Sequence, residues 1–311
     1  MRRDVVCIGR PFLDLVLTGL PRLPEAGTEL AGDGLHVAAG GVANVAVGLR
    51  RLGLTTALVS ERGRDFAGRE IARLLEAEGV AWSGREVERA AVTVGVPIDG
   101  ERTMLTFDPG EAAPALAEIA ALEPRAVVGD HPQLTLPGVR RYVGAGYEDA
   151  AAAAGRPALV VGRADTLFAN EVEARLLTGI ADAAEACRAL ADVVETAVVT
   201  CGAGGAVGCR GAALERVAAP SVVAVDTLGA GDLFIAAYVW ADLRGLPLHE
   251  RLRWAVLYAS LSVAVPTTLA GAVTEAVLLD EGRRRGLSWP RVGTGREGPE
   301  EGVRHATRSE A

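Results

Sequence analysis

Short apolar runs and helical stretches take turns along the second half of this chain. Ala126–Val128, Ala158–Val161, Val198–Thr200 and Val222–Val225 each read as a strand, and the last leads into a long apolar helix starting at Gly231. Strands separated by helices return in the same direction, so the alternation predicts a mostly parallel sheet covered on both faces. The first half begins the same way, with strands at Val5–Gly9 and Thr56–Ser60. Val42, Val45, Ala46, Leu49 and Leu52 are spaced for a helix that stops at Gly53, and Phe66–Gly79 reads as a second helix. Two segments do not fit this scheme. Residues 14–38, rich in Gly and Pro, read as two short strands, and 91–108 as a hairpin turning on Asp99-Gly100. Both are assigned to a small β-sheet lid at one edge. The domain is expected to span 1–281. From Gly282 the periodicity is lost among Arg, Gly, Glu and Pro, so 282–311 reads as a disordered tail.

Composition removes several classes of function. The chain has 311 residues, half of them hydrophobic, enough for one large domain, yet no run of about 18 apolar residues appears. The apolar run near the start, Val5 to Ile8, is too brief for a signal-peptide core, so a cytoplasmic location and no membrane partner are expected. A net charge of −8 argues against a nucleic-acid surface. Cys7, Cys187, Cys201 and Cys209 have no C-x-x-C spacing and read as reduced thiols rather than as disulfides or a zinc site. The chain contains no lysine at all. That excludes a P-loop lysine, a protein-kinase strand lysine and a Schiff base. Any phosphate chemistry here must rest on backbone amides, helix dipoles, arginine and metal.

Four segments carry candidate chemistry. In Val225-Asp226-Thr227-Leu228-Gly229-Ala230-Gly231-Asp232 a strand ends, small residues turn, and a helix starts. The first amides of a helix have no partner within it, and its dipole is positive there, so an anion can bind at such a turn. Asp232, in the first turn, can accept a proton from an attacking hydroxyl, or it can simply cap the helix. Ala39-Gly40-Gly41-Val42-Ala43-Asn44 precedes a helix; its glycines allow close approach and Asn44 offers an amide, as many ordinary turns also do. Asn170-Glu171-Val172-Glu173 opens a helix whose capping alone would account for these residues. Val199-Thr200-Cys201-Gly202-Ala203-Gly204-Gly205 is a strand with a glycine loop that faces a nucleotide or merely turns. His131 reads as a surface histidine, and Trp82, Trp240 and Trp254 as packing residues.

Taken in order, these segments resemble the signatures of the ribokinase-type (PfkB) carbohydrate kinases: GG-x-x-AN-x-A, N-x-x-E, T-x-G-x-x-G and D-T-x-GAGD. The likeness runs from about Val5 to Thr274 and implies a three-layer α/β/α fold with a β lid closing over the acceptor. It implies an ATP- and Mg²⁺-dependent phosphotransferase acting on an alcohol group of a sugar or sugar-like small molecule. On that likeness Asp232 is the general base, and the amides of Gly229, Ala230 and Gly231 are the anion hole. Asp14, Gly40, Gly41 and Asn44 hold the acceptor. Asn170, Thr200, Gly202 and Gly205 bind ATP, with Glu173 acting on Mg²⁺ through water. Asp226 and the Leu228 carbonyl match a monovalent-cation site, which would take K⁺, and pairing of lids implies a homodimer. Two alternatives stay open: a nucleoside kinase, including kinases of pseudouridine-type compounds, and a catalytically silent member serving as a ligand sensor. Three departures stand out. Ala39 replaces the first glycine of the pair, and Val256 occupies a position near the adenine that is often polar. Only about fifteen residues separate Gly155 from Asn170, so a sheet element is expected to be missing or rearranged there.

Overall fold

The computed structural model describes residues 2–98, 101–110, 115–129, 134, 136–265 and 267–289. The chain opens with β1 (Val5–Ile8), β2 (Pro11–Thr18), β3 (Gly34–Gly41), α1 (Val42–Arg51), β4 (Thr56–Val59) and β5 (Arg62–Gly63). It continues through α2 (Phe66–Ala77), β6 (Ala81–Ser83), β7 (Glu86–Val87), β8 (Ala91–Ile98), β9 (Glu101–Phe107), α3 (Leu116–Ala121) and β10 (Ala126–Val128). Then come β11 (Arg140–Gly144), α4 (Tyr147–Ala152), α5 (Ala158–Val161), β12 (Thr166–Asn170), α6 (Glu171–Thr178), α7 (Ala183–Ala191) and β13 (Thr196–Thr200). The last part holds β14 (Ala206–Arg210), β15 (Ala213–Val217), α8 (Ala230–Asp242), α9 (Leu248–Ser262), α10 (Thr268–Gly271) and α11 (Glu275–Arg284).

Nine strands form the main sheet in the order β15-β14-β13-β12-β11-β10-β1-β4-β6. All neighbours from β13 to β6 run parallel, and β14 and β15 add an antiparallel edge. Both faces are covered, which is why β1 is buried along its whole length. Val5 and Cys7 join the core formed with α1, α8 and α9, while Val6 and Ile8 pack with Ile119 of α3 on the other side. The expected three-layer α/β/α arrangement is therefore present. The lid is a four-stranded sheet, β3-β2-β8-β9, made from the two segments assigned to it. The Asp99-Gly100 turn and His131 lie outside the described residues. Strand order reverses between β1 and β10, and in open α/β sheets ligands bind beyond the carboxyl ends of the strands near such a reversal.

Three expectations need correction. Ala158–Val161 is not a strand but the short helix α5, which follows Pro157, with Leu159 exposed and only Val161 buried. Proline fixes a φ that suits a helix start, and one buried residue in four is no strand face. The strands of this region are β11 and β12, which pair with each other and complete the sheet, so no element is missing before Asn170. Val222–Val225 is not a sheet strand either. Val223 is 85% exposed on an irregular segment, and the Val225 and Asp226 amides donate to the Val263 carbonyl at 2.7 and 3.1 Å. Third, structure continues past Gly282. That glycine lies inside α11 because a Cβ there would come within 2.1 Å of the Trp254 ring. Trp289 then stacks on Trp240 with ring centroids 4.4 Å apart. Residues 290–311 lie outside the described residues. No helix among the described residues is long and apolar enough to cross a membrane.

Candidate active site

The turn before α8 is pinned from several sides. One Asp226 carboxylate oxygen accepts from the Leu228 amide and the other from the Thr267 amide, each at 2.9 Å. The Thr268 hydroxyl donates to the Leu228 carbonyl at 2.6 Å. Gly229 has φ +65°, and a Cβ there would come within 2.3 Å of the Thr268 hydroxyl, so both backbone and packing require glycine. At Gly231 the opposite holds: among the described residues nothing lies within 4 Å of a built Cβ. The Ala230 amide donates to the Thr227 carbonyl at 3.4 Å across the turn.

Asp232 stands in this first turn. Gly48 of α1 brings that helix against α8, since a Cβ at position 48 would come within 2.8 Å of Leu233 and 2.9 Å of Ala236. The close crossing lets the buried Asn44 amide donate to the Asp232 carboxylate at 2.9 Å. Asp232 is only half-buried by its own surface, yet protein crowds it closely. This burial pushes its pKa from the ordinary 3.8 to about 6, against the opposing pull of the Asn44 hydrogen bond. A carboxylate tuned in this way can take a proton near neutral pH.

Asn44 connects directly to the lid. Gly41, with φ +60°, caps α1 and ends β3, so lid strand and helix meet at one residue. A Cβ at Gly41 would press within 2.6 Å of both the Arg10 carbonyl and the Phe12 ring. One residue earlier, Gly40 lies beneath the buried Asp14 carboxylate, which would sit 1.8 Å from a Cβ there. Asp14, Gly40, Gly41, Asn44 and Asp232 thus form one contiguous path from lid to main domain.

Asn170 and Thr200 end the adjacent parallel strands β12 and β13 and are register partners. Asn170 and Glu173 form a reciprocal capping box: the Glu173 amide donates to the Asn170 side chain at 2.9 Å, and the Asn170 amide donates to Glu173 at 2.8 Å. Burial raises the Glu173 pKa, with the Asn170 hydrogen bonds opposing it. After Thr200 the chain forms a single 3₁₀ turn over Gly202–Gly204. Gly202 has φ +51° with open space around it, whereas Gly205 is demanded by the Val217 carbonyl, 2.0 Å from its would-be Cβ. Among the described residues no three His, Cys, Asp or Glu side chains cluster to hold a metal. Two surface hollows near the base of the lid, one lined by Arg10 and Arg89 and the other by Arg62 and Arg69, include none of these residues. Sequence reasoning missed Gly48, Thr267 and Thr268, for which no local pattern gives a sign.

The pfkB family carbohydrate kinase model matches residues 2–131 and 140–275. The chain belongs to that family. A pfkB-family relative, the ribokinase of Bacillus subtilis, is 29% identical over 277 residues, covering 84% of this chain and 93% of its own length. Among solved structures, the ribokinase of Thermotoga maritima aligns with a TM-score of 0.76 at 19% identity, covering 89% of this chain and 98% of the other. The Arabidopsis thaliana ribokinase, solved as a complex with ribose and ATP, aligns with a TM-score of 0.72 at 22% identity, covering 90% and 98%. The match to the pfkB kinases thus spans lid and main domain, and the chain is an alcohol-group phosphotransferase of that family.

Proposed function

We propose that this pfkB kinase transfers the terminal phosphoryl group of ATP to a hydroxyl of a sugar or sugar-like small molecule. The observation that carries the reading is the Asp232 carboxylate, placed in the first turn of α8, held by Asn44, and raised to a pKa of about 6. In this role Asp232 takes the proton of the acceptor hydroxyl as its oxygen attacks phosphorus, while the amides of Gly229, Ala230 and Gly231 face the charge on the phosphoryl oxygens. Asp14, above Gly40, holds the acceptor's other hydroxyls. Asn170, Thr200, Gly202 and Gly205 line the nucleotide, consistent with the open surface at Gly202. Bound ATP with Mg²⁺ supplies the phosphoryl group and the cation that offsets its charge. Magnesium keeps several waters and takes one or two carboxylates plus substrate phosphates, a donor set that Glu173 fits without a dedicated cage. K⁺ beside Asp226 and the Leu228 carbonyl would reinforce a turn already tied to Thr267 and Thr268. The sheet before Asn170 is unbroken, which supports the kinase reading over a silent sensor. A second copy of the chain is the proposed partner of the lid, whose strands expose Leu35, Val37, Leu105 and Phe107.

Steady-state kinetics on two variants test the assignment. Asp232→Asn keeps shape and removes the base, so kcat falls by about 10²-fold or more while acceptor binding survives. Asp14→Asn raises acceptor KM more than it lowers kcat. Near-normal turnover in Asp232→Asn would show that another group takes the proton.

A further inference from the structure

Thr267 holds a backbone conformation that its own side chain disfavours. Its φ is +65° and its ψ 139°, a region suited to glycine, and threonine is branched at Cβ. A residue so strained persists only where its surroundings impose the conformation. Thr267 supplies an amide to the Asp226 carboxylate, and Thr268 a hydroxyl to the Leu228 carbonyl. The strained segment is therefore the one that fixes the turn before α8.

Part of what holds this segment lies one helix away. Arg51, in the last turn of α1, donates through one terminal nitrogen to two carbonyls, Leu269 at 2.5 Å and Ala272 at 2.6 Å. Both belong to α10 and its C-cap, the helix end that a cation suits. The other guanidinium donors face Glu78, at 2.9 Å from Nε and 2.5 Å from the second terminal nitrogen. A bidentate pair of this kind fixes the plane of the group. On another side α10 is pressed against α9, since a Cβ at Gly271 would come within 2.4 Å of the Ser262 Cα. Just beyond, the Tyr258 hydroxyl donates to the Val273 carbonyl at 3.0 Å.

α1 carries more than Arg51. Asn44, Gly48 and Arg51 stand at i, i+4 and i+7, on one face of the helix. Asn44 donates to Asp232, Gly48 lets α8 approach, and Arg51 reaches α10. Seven residues of helix span about 10.5 Å and do not stretch. One rigid rod thus holds the Asp232 carboxylate near its start and the support of the 226–231 turn at its end.

We infer that Arg51 is a positioning residue for phosphoryl transfer, setting the 226–231 turn against Asp232 by bracing the 267–272 segment. The inference rests on the kinase reading, in which that turn faces the phosphoryl group and Asp232 the acceptor hydroxyl. Arg51 acts through backbone carbonyls alone, so it governs the rate and not the hold on either substrate.

Steady-state kinetics use ATP, Mg²⁺ and D-ribose or D-fructose, whichever sugar the wild type turns over faster. Wild type, Arg51→Met, Thr268→Val and the double variant are compared well below their melting temperatures. Arg51→Met keeps an unbranched stem and removes every donor. Its kcat falls by about 10-fold or more, with KM for ATP and for the sugar within about 2-fold. Adding Thr268→Val lowers kcat no more than about 2-fold further, because both changes act through one turn. Hydrogen exchange in Arg51→Met rises over 226–231 and 267–269 and keeps its wild-type level over β12 and β13. A lower melting temperature with wild-type kcat makes Arg51 a brace of the fold only and overturns the inference. So does a double variant that shows the product of the two separate losses, wild-type kcat in Thr268→Val, or a KM that rises as far as kcat falls. Should Arg51→Met fail to fold, Arg51→Lys keeps a charge for Glu78 but loses the fork that also reaches the carbonyls. A kcat about 5-fold or more below wild type then supports the inference, and wild-type kcat overturns it. If wild type phosphorylates neither sugar, exchange still decides the brace. Faster exchange at the turn keeps it, unchanged exchange overturns it, and the missing turnover counts against the kinase reading alone.

Discussion

The raised pKa of Asp232, the proposed general base, comes at the expense of the fold. A carboxyl whose folded pKa is raised binds its proton more tightly in the folded state than in the unfolded one. Its contribution is neutral below the unfolded value of 3.8, and stability is lost as pH rises from there through about 6. Above pH 6 the penalty is complete, at about 2 kcal/mol after allowance for the solvent that still reaches the group. Asp232→Asn lacks this penalty. The inactive variant should melt higher than wild type at pH 8, and the two curves should converge as pH falls to about 4. Thermal denaturation across that range checks it; a constant difference would mean that Asp232 ionises normally.

At the scale of elements, the turn proposed as the anion hole depends on residues far away in sequence. Thr268→Val keeps side-chain shape and removes the donor to the Leu228 carbonyl, an interaction of about 1 kcal/mol. The expected outcome is a kcat lower by about 5- to 10-fold with acceptor KM unchanged, because the turn is proposed to act on the phosphoryl group rather than on the acceptor. Unaltered kcat would show that Asp226 holds the turn unaided. This dependence also marks what the sequence conceals. Strands flanked by turns and buried on both faces, such as β1 and β4, are legible because their apolar runs have no other explanation. β11 was hidden because it opens with Arg140-Arg141, and Arg141 is nonetheless buried. Val222–Val225 misled because β-branched residues read as a strand even where no neighbour pairs with them. The site residues were legible through short spacings, Asp226 to Asp232 and Gly40 to Asn44. Contacts between those segments, such as Asn44 to Asp232 or Thr268 to Leu228, depend on how helices cross, and local pattern carries no record of it.

For the whole molecule, two surfaces make separate predictions. Ending the chain after Trp289 should leave the melting temperature within about 1 °C of the full-length value, whereas ending it after Glu281 removes the Trp289 stack on Trp240. Partial burial of one tryptophan is worth about 2–3 kcal/mol, or a fall of about 3–5 °C in a domain of this size. Equal melting temperatures for the two truncations would show that the stack adds nothing. On the lid, register places Leu17, Leu35, Leu15, Val37, Val94, Leu105, Val92 and Phe107 on one face, with Leu35 60% and Leu105 70% exposed. An apolar strip of this kind beside an open strand edge is an association surface. Light scattering at micromolar concentration should give the mass of two chains, and Leu105→Glu should give one; a wild-type monomer would leave the strip without its proposed partner. The junction at Gly41 has a mechanical meaning of its own. β3 passes into α1 with no slack between them, so at this one of the lid's crossings to the main domain any shift is carried by the dihedral angles of Gly41. The same pivot bears the helix that presents Asn44 to Asp232. On the proposed reading, a lid that closes over the acceptor also shifts the helix that holds Asn44 against Asp232.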